Sequence, residues 1–152
     1  MTDASTATAV ETSDDLDLFD AFATDTKAEQ EGIWTPIPGA GKRKFKVARV
    51  GSVAYGKLLQ RLYKANRAVL DSDTPAAKTK SDAIMAEVYA STVLLGWEGN
   101  IMFKGVATPY SKEAAMALLM LPEFRIKVQA VAEDYNTFLA KKEEEDAKNE
   151  MR

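Results

Sequence analysis

The side chains able to do chemistry in this sequence are few in type and poorly grouped. Neither cysteine nor histidine occurs, which removes thiolate and imidazole metal sites, disulfides, the usual nucleophile and base triads and the commonest general base together. Carboxylates remain, but Glu87, Glu98, Glu113, Glu133 and Asp134 stand singly or on faces expected to point outward. No pair of them has surroundings that would drive two pKa values apart for acid and base work. Gly39-Ala40-Gly41-Lys42 has the look of a phosphate loop, yet Pro36 stands where its first glycine is needed and Arg43 where a Ser/Thr would meet magnesium, which favours a hairpin loop. Asp71-Ser72-Asp73 opens like a calcium loop, but Ala76 replaces the sixth-position glycine and Asp82 the closing glutamate. Neither a cofactor nor an enzymatic activity is expected.

What the sequence does group is charge. Residues 1–31 carry Asp3, Glu11, Asp14, Asp15, Asp17, Asp20, Asp25, Glu29 and Glu31 against Lys27 alone. From position 42 the sign inverts: Lys42, Arg43, Lys44, Lys46, Arg49, Lys57, Arg61, Lys64 and Arg67 follow, with no acid before Asp71. Blocks of that length set a local field whatever the total, and the total is only −3. The basic block admits three readings: a solvated face, a surface for an acidic protein partner, or, weakest of the three, a phosphate-contacting surface for nucleic acid. The acidic segment admits two, an occasionally docked tail or a tethered peptide that covers the basic block until a partner displaces it.

The elements that must position these charges are legible from periodicity. A chain of 152 residues, 46% of them hydrophobic, suffices for one core. Residues 1–28 are expected to form a disordered acidic tail, 29–140 a single globular domain and 141–152 a charged tail that frays into solvent. Gly32 to Thr35 and Phe45 to Val50 read as strands flanking a turn rich in Pro and Gly. Ser52 caps a helix expected to reach Leu70, with Tyr55, Leu58, Leu59, Leu62 and Val69 as its apolar stripe and Lys57, Arg61, Lys64 and Arg67 on another flank. Thr74 and Pro75 begin a helix expected to run to Leu95 and to close on Gly96 at positive φ, with Trp97 folded back on its end. Ile101 to Phe103 form a short buried strand or hairpin between Gly99 and Gly105. Ser111 caps a helix that is apolar on all sides through Leu121, either central to the core or awaiting a partner through adaptable Met116 and Met120. Pro122 opens a last helix in which Phe124, Val128, Val131, Tyr135 and Phe138 recur at heptad spacing, packed on the domain or protruding as a lever. The expected fold is α+β, mainly α: an N-terminal β-hairpin followed by four helices, with a short turn or hairpin insertion around residues 97–110.

Gly96, Trp97, Gly105, Pro109, Tyr110 and Ser111, followed by the helix AAMALLMLPEF, resemble the signature of tail assembly chaperones of long-tailed, non-contractile bacteriophages. EGIW at 31–34 and FKVARVGSVAYGKLLQ at 45–60 resemble that family's opening hairpin and first helix. The likeness spans roughly 31–139, with Lys104-Gly105 standing in place of an Asp-Gly turn. The resemblance implies a factor that coats the long helical tape measure protein, keeps it soluble and hands it to polymerising tail tube protein. It also implies self-association, a longer frameshifted form of the same chain, and absence from the mature virion.

The expected partner-binding residues are Lys42, Arg43, Lys44, Lys46, Arg49, Lys57, Arg61, Lys64 and Arg67, with Trp97, Met116 and Met120. No apolar run is long enough to span a bilayer and the start is acidic, so a protein of the host cytoplasm without membrane contact is expected. Two other functions stay open: a small nucleic-acid adaptor using residues 42–67, and a permanent structural subunit of the tail.

Overall fold

The structure, a computed structural model, describes residues 15–140. The first half of the expected acidic tail and the whole of the expected C-terminal tail lie outside the described residues. Within them the chain forms α1 (Leu18–Phe22), α2 (Thr26–Glu31), β1 (Ile33–Pro36), β2 (Lys44–Val47), α3 (Val53–Ala65), α4 (Arg67–Leu70), α5 (Pro75–Thr92), β3 (Leu94–Trp97), β4 (Asn100–Phe103), β5 (Val106–Pro109), α6 (Lys112–Leu119), α7 (Pro122–Glu133) and a final 3-10 turn, Tyr135–Phe138.

This order overturns the expected hairpin followed by four helices. Two short helices precede the first strand, and the described residues hold seven α-helices and five antiparallel strands in two sheets, spread through the chain. The first two strands are only part of a three-stranded sheet, β1-β2-β3, whose third member arrives after α5. Its register sets Trp34, Lys46 and Gly96 side by side, and Phe45 beside Trp97. Periodicity could not show this, because the pairing joins segments about fifty residues apart. Gly32 makes the entry possible: φ is 89°, and a Cβ there would come within 3.1 Å of the Lys46 stem and 3.3 Å of the Val47 carbonyl.

Local chemistry explains the remaining differences. The helix expected to reach Leu70 breaks at Asn66, which leaves helical geometry and turns its side-chain amide onto the Leu62 carbonyl at 2.8 Å. The next helix stops at Thr92, and the chain passes directly into β3, so Gly96 is a strand residue and not a helix cap. Positive φ falls instead on Lys104 and Gly105, which turn the β4-β5 hairpin. That hairpin is half-exposed, Ile101 and Phe103 facing inward and Met102 outward. The last helix does not continue as a lever. Asp134 leaves the helix, accepts the Asn136 amide at 2.9 Å and starts a turn that buries Phe138. This returning segment meets the N-terminal one: Asp25 N–H donates to Phe138 O at 2.8 Å, Ala140 N–H to Ala23 O at 3.3 Å, and Phe22 stacks on Tyr135 at 5.2 Å.

The core lies between the sheet and helices α5, α6 and α7. Helix α5 is its axis, with Ile84, Ala86, Val88, Tyr89 and Ala90 buried on more than one side and α3, α4, α6 and β3 packed around it. Alanines at 86, 90, 115 and 132 let these helices approach closely while Phe45, Val47, Leu94, Leu119 and Val128 fill the space between. One polar link reinforces the packing: the guanidinium of Arg125 on α7 donates to Asp82 on α5 at 3.0 Å and to Leu119 O at 2.8 Å.

Candidate functional site

Helix α3 carries most of the accessible chemistry. Ser52 Oγ caps it, accepting the Tyr55 amide at 3.1 Å. Tyr55 packs edge-on against Tyr89 of α5 at 6.0 Å, and Leu58, Leu59 and Leu62 are half-buried on that side. No residue of α3 is fully buried. Val53 is 74% exposed and Tyr63 42% exposed, so the apolar stripe is only partly covered by the rest of the chain.

A groove follows this helix. Its widest part, about 900 Å³, is bounded by α2, by the loop Arg49 to Ser52 and by the junction of α5 with β3, and is lined by Glu29, Val50, Val53, Ala54, Thr92 and Leu95 among others. Ser91, whose buried hydroxyl oxygen has no partner in the protein, also lines it. Through Ala54 and Thr92 the groove runs on to Lys57, Leu58 and Arg61. A further hollow that shares Lys57 and Arg61 is lined by Gln60, Tyr63, Lys64 and Arg67. The result is a floor of apolar and small polar residues along one side of a row of cations. Glu29 is the acid in this lining, and it forms an ion pair with Arg49.

The expected basic block divides into two fates. Lys57, Arg61, Lys64 and Arg67 come together on the groove, exposed. Of the earlier members, Arg43, Lys46 and Arg49 have side chains engaged by the fold, whereas those of Lys42 and Lys44 are exposed. Arg43 donates to the Glu98 carbonyl at 2.5 Å, the Lys44 amide donates to the Glu98 carboxylate at 2.9 Å, and Lys46 lays its stem between Gly32 and Gly96. Lys42 is exposed in a separate hollow at the turn, beside Gly41 and Gly99. Trp97 is buried in the core, with its ring against Tyr110 at 5.0 Å and its Nε1–H directed to Thr108 O at 3.3 Å. Met116 packs on the core and Met120 is part-exposed at the end of α6. Ser91, Thr92 and Leu95 in the groove were absent from the expected set. The one signal for Ser91 and Thr92 was a polar pair closing the helix after Val88, Tyr89 and Ala90.

Titration is perturbed away from the cationic row. Burial, before any charge effect, raises the phenols of Tyr55, Tyr89 and Tyr110 above their ordinary range. The Asp82 carboxyl is held low, first by its hydrogen bond from Lys78 and also by the charges of Lys78 and Arg125. Among the described residues no cluster of carboxylates has the arrangement of a metal site, and no helix is long and apolar enough to cross a membrane.

A family model described as YdaY prophage protein matches residues 50–149, which is 100 of the 152 residues. The match takes in α3 and everything after it in the described structure. No curated protein and no solved structure matches the chain. The chain belongs to the YdaY prophage protein family, and is thus phage-derived.

Proposed function

We propose that this prophage protein acts without catalysis, as a tail assembly chaperone. It binds the tape measure protein while that chain is being made, keeps it soluble and releases it to tail tube protein, working in the host cytoplasm and staying out of the finished particle. The observation that carries this reading is the half-covered helix α3 with its groove and its row of Lys57, Arg61 and Lys64, continued by Arg67 on α4. Like charges three and four residues apart on one helix disfavour it by roughly 0.2–0.5 kcal/mol per pair. Lys64 stands in the last turn, where a cation favours the helix, but Lys57 and Arg61 do nothing for the helix that bears them, and their placement beside half-covered apolar surface suits a polypeptide partner. A long amphipathic chain aggregates unless its apolar faces are covered reversibly, and laying one face in a groove is a standard way to cover them. Exposed cations along the rim speed encounter and limit the choice of partner more than they deepen affinity.

The test is co-expression with a tape measure protein from the same prophage. Partition of that protein into the soluble fraction and its co-purification with the chaperone are expected. Persistent insolubility, with no complex, overturns the proposal. A duplex or single-stranded DNA shift at low salt that weakens steeply as salt rises would assign the cations to phosphate instead. Stoichiometric recovery of the chain in purified virions would make it a structural subunit.

A further inference from the structure

The division of the basic block leaves a second group of cations on another surface. In the sheet β1-β2-β3 the register sets Trp34, Lys46 and Gly96 in one row and Pro36 beside Lys44 in the next. Paired residues share a face, and residues two apart along a strand return to it. Trp34, Pro36, Lys44, Lys46 and Gly96 therefore belong to the face opposite buried Phe45 and Val47. Trp34, Pro36 and Lys44 are exposed on it.

A glycine inside a strand weakens it and marks a close approach to the backbone. At Gly96 the approach is made by Trp34, whose ring atom Cη2 lies 3.5 Å from where a Cβ would stand. Trp34 is on β1 and Gly96 on β3, two strands or about 9.5 Å away, so the indole lies across β2 instead of standing up from the sheet. Gly96 is buried by this arrangement, while Trp34 stays 49% exposed: one side of the ring rests on the sheet and the other is open. Lys44 and Lys46 stand beside it about 7 Å apart along β2, with Lys42 beyond them at the turn. Among the described residues none of these three lysines is in an ion pair. The acid that borders the face, Glu98, is engaged, its carboxylate accepting the Lys44 amide at 2.9 Å.

We propose that this face binds single-stranded nucleic acid, a base stacking on the open side of Trp34 while backbone phosphates meet Lys44 and Lys46. It shares no residue with the groove along α3. An aromatic ring laid on a sheet suits a base, because every base has a π-face and an unpaired one can offer it. A polypeptide anchors its side chains in pockets, and the neighbours of Trp34 in its row, a lysine and a glycine, build none. Duplex DNA keeps its bases stacked on one another and has none to give the ring. Two or three lysines make few phosphate contacts, so the salt dependence is shallow: log K falls with log salt at a slope of about −1.4 to −2.1, at about 0.7 per contact on a single strand.

Titration of the full chain with oligothymidylate at several salt concentrations tests this, read by tryptophan emission and by the anisotropy of end-labelled oligonucleotide. Binding with quenched emission and the shallow slope is expected. Trp34→Ala should weaken binding at least about fivefold and abolish the quenching, since the other tryptophan, Trp97, is buried. Lys44→Glu with Lys46→Gln keeps the Cβ and Cγ that pack on Gly32 and Gly96. That variant should bind at least about fivefold more weakly and flatten the salt slope by about 0.7 per lysine lost, a change that a purely structural role would not produce. No binding at low salt, equal affinity for duplex, or an unaltered slope in the lysine variant would overturn the proposal. So would binding abolished by Arg61→Glu with Lys64→Glu, which would move the contact to α3, or displacement of the oligonucleotide by polyglutamate at equal charge, which would make the face a polypeptide surface. Solubilisation of the tape measure protein by a chain that binds no oligonucleotide would overturn this proposal alone and leave the proposed function standing.

Discussion

Helices α5 and α3 lie against each other, yet they answer to different demands. Along α5, side chains are buried on several sides and Asp82, its most engaged charge, bonds to Arg125 on α7. Along α3, nothing is fully buried, and Lys57, Arg61 and Lys64 point away from the protein with no acid on the helix to pair with. The contrast shows that α5 is explained by the fold it organises, whereas the outer face of α3 is explained by nothing inside the chain. Substitutions on the two sides should therefore separate stability from binding.

The largest loss of stability should come from the core side. Trp97→Ala removes a ring packed against Phe45, Phe103 and Tyr110, and about 3–5 kcal/mol is expected, readable as a lower denaturant midpoint. Gly32→Ala should follow, at roughly 1–3 kcal/mol, since a methyl group at φ 89° presses on Lys46 and Val47. Asp82→Asn should cost about 1–2 kcal/mol at neutral pH by weakening the bond to Arg125.

The sign of its pH dependence follows from the low folded pKa of Asp82. A carboxyl depressed on folding stabilises above its unfolded value, near 4, and that contribution is lost as pH falls through the folded value. The gap between parent and Asp82→Asn should accordingly close on acidification below about pH 4, measured by urea unfolding at a series of pH values. Tyr110→Phe removes the hydrogen bond to Leu94 O at 2.9 Å and should cost about 1 kcal/mol. Smallest of all should be Arg61→Glu with Lys64→Glu, within about 0.5 kcal/mol of the parent. A large destabilisation there would erase the contrast between the two helices.

Much of the local structure could be read from residue types, and the long-range arrangement could not. Ser52 and Ser111 cap helices through their hydroxyls, and Pro75 and Pro122 stand in first turns, because such signals act within four residues. The pairing of β3 with β2, and the return of Phe138 to Asp25, depend on segments distant in sequence and leave no periodic trace. Trp97 illustrates the same limit for function. An aromatic residue beside glycines fits either a core anchor or a surface for partners, and only its burial under Tyr110 and Phe103 assigns it. The basic block was visible as a run of one charge. Its division at Arg49, which Glu29 neutralises, required α2 to fold against the loop before α3.

The central claim is that the cationic groove of α3 holds another polypeptide. Its most direct test is the soluble yield of the tape measure protein co-expressed with the parent chain or with Arg61→Glu and Lys64→Glu together. The parent should bring the tape measure protein into solution, and the equally stable charge-reversed chain should bring down at least several-fold less. Equal yields from the two would contradict the claim.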